Sequence, residues 1–131
     1  MSTRRPGAAD LLVVSVGGAA GALLRLGIDT AAPGSLFPWS TLVINVVGAF
    51  ALGVLPALPV VRRSRAVALA LGPGLLGGFT TVSAWAGQVR ALAADGHLAL
   101  AGLCLVATLA AGLLAAALGS HLARGRARPV A

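Results

Sequence analysis

The chain has 131 residues, of which 58% are hydrophobic and only 10% are Asp, Glu, Lys or Arg, and its mean hydropathy is +0.95. A soluble domain carries roughly 25% charged residues, so this composition excludes a disordered chain and a water-dispersed globule and points to the bilayer as solvent. All ten basic residues are arginine, opposed only by Asp10, Asp29 and Asp95, and the net charge is +7; because they punctuate apolar runs instead of gathering on one polar face, a nucleic-acid-binding domain is excluded as well.

Reading from charge to charge gives uncharged stretches over residues 11–24, 30–61, 66–89 and 96–123. They predict a single four-span membrane domain over 1–131, with spans near 11–28, 38–60, 66–91 and 97–119 and short basic tails. Four spans of roughly 20 residues use most of the length. Arg4 and Arg5 before the first run also fit the start of a signal peptide, but three further apolar stretches favour a spanning role.

The first uncharged stretch, 14 residues long, covers about 21 Å of a hydrocarbon core about 30 Å thick. Arg25 is therefore expected inside the helix, where it must snorkel or find a partner. Gly17 and Gly21 on the same helix have GxxxG spacing, which lets a second backbone approach. The second span starts at Trp39, an interfacial anchor, and runs to Pro56 and Pro59 with Asn45 as its one strongly polar interior residue. The third is interrupted at LGPGLLGGFTT, where Pro73 and Gly72, Gly74, Gly77 and Gly78 precede Thr80 and Thr81; this predicts a broken helix. The fourth is rich in Ala, Leu and Gly and holds Cys104, the single cysteine, so disulfide frameworks and cysteine-based zinc sites are excluded.

Arg4, Arg5, Arg62, Arg63, Arg65, Arg124, Arg126 and Arg128 fall on one side of a four-span topology, and only Arg25 and Arg90 toward the other. The positive-inside rule then places both termini in the cytoplasm of a multi-pass protein of the cell membrane.

Enzyme signals are poor. No carboxylate pair lies near a histidine, no HExxH is present, and His97 and His121 flank the last span. Residues 72–77 fit GxGxxG with Asp95 about 20 residues on, but a dinucleotide fingerprint follows a strand in a βαβ unit, whereas this one lies in a hydrophobic span with Pro73 inside it. What remains within membrane depth is a sparse set of uncharged groups: Asn45, Thr80, Thr81, Ser83, Gln88 and Thr108, with Ser15 and Thr41. Proton-coupled and cation exporters use intramembrane acids; amides and hydroxyls suit a small anion instead. For any single Ser or Thr the plainer role is helix glue, averaging about 0.6 kcal/mol.

Three segments, GGAAGALLR (17–25), TLVINVVGAFALG (41–53) and GLLGGFTTVSAW (74–85), occur in this order in a short four-span chain. Together they resemble the Fluc (CrcB) family of fluoride-specific ion channels, over about residues 11–118. The resemblance implies an antiparallel dimer with two narrow fluoride paths, a structural sodium ion at the centre of the interface, and passive export of cytoplasmic fluoride. Carried over by position, it implies that the backbone carbonyls of Gly77 and Thr80 hold the sodium, with Gly78 and Thr81 shaping the break. It further implies that Asn45 donates its amide to fluoride and that Arg25 is a structural arginine near the end of the first helix.

Where the family pattern has a pair of Phe side chains in this segment, this chain has Val82 and Trp85, flanking Ser83 and Ala84. One aromatic ring remains, with an indole N–H as a donor. The hydroxyl track of the fourth helix is thinned to Cys104, Thr108 and Gly112, so the implied fluoride path runs by Asn45, Val82, Ser83, Trp85 and Thr108. The arginine bias of eight to two favours one insertion orientation, which predicts pairing with a paralogous subunit of opposite bias. Two other classes fit four short spans: a small multidrug exporter, which is expected to carry a Glu in its first span although this chain has no Glu, and a non-conducting assembly protein.

Overall fold

The computed structural model describes residues 6–32 and 34–126. Every regular element among the described residues is helical. Four stretches among the described residues are long and apolar enough to cross a membrane: Ala8–Ala31, Trp39–Ala57, Arg65–Ala94 and Leu98–Gly125. Arg4, Arg5 and Arg128, assigned above to the basic tails, lie outside the described residues.

Helix α1 (Ala8–Ala31) opens with Asp10 at its third position, where the carboxylate accepts the Gly7 N–H at 3.2 Å. An acid in the first turn suits the positive end of the helix dipole. The same carboxylate pairs with Arg65, with Nη2 2.9 Å and Nε 3.3 Å from its oxygens, tying the start of the first span to the start of the third. Arg25 lies inside α1. Helix α2 (Trp39–Val54) tightens into a single turn at Leu55–Ala57 around Pro56, and extended Leu58 ends the span before the short helix α3 (Pro59–Arg63). Two prolines without an N–H explain why the second span stops at this point.

The third span is assembled from pieces. Helix α4 (Arg65–Leu69) passes into a π-helical segment, Ala70–Leu76, then a single turn, α5 (Gly77–Phe79), and after extended Thr80 and Thr81 the chain resumes as α6 (Val82–Ala94). Pro73 itself does not break the helix. The wider π turn absorbs the ring and its missing donor, and the interruption falls at the end of the glycine-rich stretch, on the two threonines. Gly96, with φ of 82°, turns the chain into α7 (Leu98–Arg126).

The spans pair by close backbone approach. In the seam between α1 and the third span, Gly17 lies against Gly74, a Cβ on Gly21 would collide with the Leu75 carbonyl, and one on Gly78 with the Gly18 carbonyl. In the seam between α2 and α7, a Cβ on Gly53 would strike the Ala116 carbonyl, and one on Gly119 would strike the Phe50 carbonyl and come within 3.3 Å of the Gly53 Cα. Few side chains are buried; Ile44, Thr41 and Cys104 are the most enclosed, and a small cluster of Phe37, Leu92, Ala101 and Cys104 closes one end of the α6–α7 contact. Leu23, Val82, Leu113 and Leu114 stand open, as expected of helices solvated by lipid or by another chain.

Alanine at Gly21 or Gly78 is expected to destabilise the folded chain by about 1–3 kcal/mol, because backbone and not a movable side chain occupies the space. Gly27, with nothing within 4 Å of an added Cβ, is the internal control: Gly27→Ala is expected to be neutral or mildly stabilising. Thermal unfolding in detergent distinguishes the two outcomes.

Candidate functional site

The interruption at Thr80–Thr81 is built by hydrogen bonds that leave the helix ladder. Asn45 on α2 reaches across so that its Oδ1 accepts the Thr81 N–H at 2.8 Å and its Nδ2 donates to the Thr81 carbonyl at 3.0 Å. A backbone donor must face the amide oxygen and a backbone acceptor the amide nitrogen, so this pairing fixes which way the side chain points. The Ala84 N–H is diverted too, to Thr81 Oγ1 at 3.1 Å, where Thr81 caps α6. On the near side of the break, the Leu76 carbonyl accepts both the Thr80 N–H at 3.0 Å and the Thr80 hydroxyl at 2.8 Å.

The consequence is specific. In an unbroken α-helix the Thr81 N–H would close on the Gly77 carbonyl and the Ala84 N–H on the Thr80 carbonyl. Both donors are engaged by side chains instead, which takes the Gly77 and Thr80 carbonyls out of the ladder. Two carbonyl oxygens released within membrane depth are suitable ligands for a hard monovalent cation.

These groups border a groove of about 550 Å³ between α2, the third span and α7. Asn45, Gly77, Thr80, Val82, Trp85 and Thr108 all line it, so the structure gathers six of the residues singled out from the sequence around one space. Its walls are otherwise apolar, from Leu52, Leu76, Leu109 and Leu113. Asn45 still has a second Nδ2 hydrogen to offer, since an amide nitrogen carries two. Thr108 is 7% exposed, and its hydroxyl is buried with no hydrogen-bond partner among the described residues.

Other singled-out residues are placed differently. The Trp85 indole N–H donates to the Cys104 carbonyl at 3.3 Å, pinning α6 to α7. It is therefore not the free donor that the sequence suggested; the ring still borders the groove. Val82 is 74% exposed beside the break. Ser83 is exposed with its hydroxyl 3.3 Å from Thr81 Oγ1, and it does not line the groove. Gly78 faces Gly18 in the α1 seam, and Arg25 is half-buried on α1 with an unpartnered Nε. Gln88 has a buried, unpartnered Oε1 beside a polar recess that also includes Asp29 and Asp95. Sequence reasoning missed Gly48 as a groove residue, where a Cβ would collide with the Thr80 methyl. The available signal was its position one turn after Asn45 on the same helix face.

Fold and site together define a four-span membrane protein whose third span is held open beside an apolar groove with a few polar donors. The family model described as CrcB-like protein, Camphor Resistance (CrcB), matches residues 12–120. The chain is 39% identical over 118 residues to a fluoride-specific ion channel FluC of Novosphingobium aromaticivorans, covering 86% of this chain and 94% of that one. It is 42% identical over 120 residues to a protein of the same name from a Chelativorans species, with 87% and 95% covered. A third, from a strain of Thermus thermophilus, is 42% identical over 115 residues, with 85% and 91% covered. The chain belongs to the CrcB family.

Removing the bracket leaves two backbone groups of Thr81 unpaired in a low-dielectric setting, at about 1–3 kcal/mol each. Asn45→Ala is therefore expected to lower the thermal midpoint markedly. Asn45→Asp, which keeps an acceptor but has a donor only while its carboxyl is protonated, is expected to fall between wild type and alanine at a pH where it is protonated, and to be worse above it.

Proposed function

We propose that the chain is a subunit of a fluoride-specific channel that lets cytoplasmic fluoride leave the cell down its gradient. The observation that carries this reading is the break at Thr80–Thr81, where the Asn45 amide and the Thr81 hydroxyl take the donors that would have closed on two carbonyls, and where Asn45 borders the same groove as Thr108. No bond is made or broken in such a task. Fluoride is small and strongly hydrated, so passage needs donors that replace part of its water without holding it fast. Neutral amide and hydroxyl donors meet that condition better than an arginine would.

In this reading Asn45 and Thr108 contact the ion, Trp85 and Val82 wall the path, and Ser83 stands at its edge beside the break. Trp85 then contributes its ring edge, whose positive quadrupole can face an anion, since its N–H is engaged. A structural sodium ion is held by the Gly77 and Thr80 carbonyls; two oxygens from one chain leave a sodium ion short of ligands, and an antiparallel second chain supplies two more. Gly78 and Thr81 keep the break in shape, and Arg25 anchors α1.

The second chain is a paralogue. Arg62, Arg63, Arg65 and Arg124 all belong to the membrane end opposite Arg90 and Asp95, which favours insertion with both termini in the cytoplasm. A chain so biased is poorly suited to inserting both ways, and a partner with basic residues on the opposite loops completes an antiparallel pair.

Thr108→Val, which removes the hydroxyl at nearly constant volume, is expected to cut fluoride efflux from proteoliposomes by at least about tenfold, the size of one hydrogen bond to a charged group. Trp85→Phe is expected to retain efflux. Replacing sodium by a large organic cation is expected to abolish it. The subunit reconstituted alone should conduct little, and co-expression with its paired subunit should restore efflux; robust flux from the single polypeptide would overturn the heterodimer while leaving the channel reading intact.

A further inference from the structure

At the membrane end where α2 and α7 finish, two arginines far apart in sequence share one recess. Arg62, from α3, and Arg124, from the last turns of α7, line a cavity of about 320 Å³ together with Pro56, Ala57, Ser120 and Ala123. Arg62 also borders an adjoining recess with Arg63 and Pro59. Like charges brought to one cavity repel unless an anion lies between them.

No carboxylate among the described residues does so. The chain has three acids: Asp10 is paired with Arg65, and Asp29 and Asp95 border a separate recess beside Gln88, where α1 and α6 end. Arg62 and Arg124 are both exposed and make no ion pair among the described residues.

We propose that this recess binds the phosphate headgroup of an anionic phospholipid, with Arg62 and Arg124 as its two cationic walls. The position favours a lipid over a free phosphate. The recess lies where two membrane-length helices end, at Ala57 and Gly125, which is the depth of lipid headgroups. Its Pro56, Ala57 and Ala123 walls are apolar, as suits the boundary between headgroup and hydrocarbon. Arginine suits the task because its planar fork can bind two phosphate oxygens at once. A basic pocket between transmembrane helices is a recurrent way of holding acidic headgroups.

The test is native mass spectrometry of the full-length protein in detergent with phosphatidylglycerol and phosphatidylcholine in competition. The wild-type chain is expected to retain phosphatidylglycerol preferentially, and removal of either arginine to lower that preference about fivefold. Arg62→Gln with Arg124→Gln should abolish it, Arg62→Lys with Arg124→Lys should restore part of it, and Arg90→Gln at the opposite end should leave it unchanged. An unchanged elution profile for each variant shows that folding is intact. Equal retention of the two lipids by wild type, or a preference that survives the double glutamine variant, overturns the proposal. Displacement of phosphatidylglycerol by inorganic phosphate at equal concentration would assign the recess to free phosphate and overturn the lipid assignment.

Discussion

Everything distinctive about this chain depends on one amide reaching across to one peptide unit. Asn45 meets both the N–H and the carbonyl of Thr81, as a neighbouring strand would, and so supplies in a helical protein the pairing that an extended residue requires. In lipid no water is available to do this. An interruption of the third span is therefore tolerated only with a partner side chain at the matching depth, and α2 is positioned against α7 and the third span so that it provides one. Thr81 then caps α6 with its own hydroxyl, and the two halves of the span are fixed relative to each other.

The rest of the packing serves that placement. Both seams bring backbone onto backbone through glycine, α1 against the third span and α2 against α7, and the members of each pair run in the same direction through the membrane. Spans so paired leave the groove between α2, the third span and α7 as a broad concavity at the level of the break. The bulky aliphatic side chains that would fill a soluble core point outward instead, where they meet lipid or another subunit.

Much of this was legible in the sequence because it follows from composition and charge. Four apolar stretches, the Gly17–Gly21 pair, the lone Asn45 and the glycine-rich interruption all announce themselves in the residues alone. The position of the break within LGPGLLGGFTT did not, because Pro73 is the strongest local breaker and yet is absorbed by a π turn. The true interruption at Thr80–Thr81 is decided by a residue 36 positions away. The role of Trp85 was hidden for the same reason: the carbonyl that takes its N–H belongs to Cys104 on another helix. Residues whose partners are distant in the chain cannot be read from local pattern, whereas residues whose job is simply to be small can.

The glycine seams have a mechanical meaning as well. A contact made through side chains can slip from one rotamer to another, and proteins that switch use such contacts as their joints. Here Gly18, Gly21, Gly53 and Gly78 offer nothing to rotate, and the facing atoms are peptide groups already engaged in helices. The first half of the third span and α1 therefore behave as one strut, and α2 and α7 as another, with α6 lying on α7 beyond the break. Two such struts, joined by the Asn45 bracket and by α6 resting on α7, have seams that cannot slip by a change of rotamer, which suits a fixed conduit.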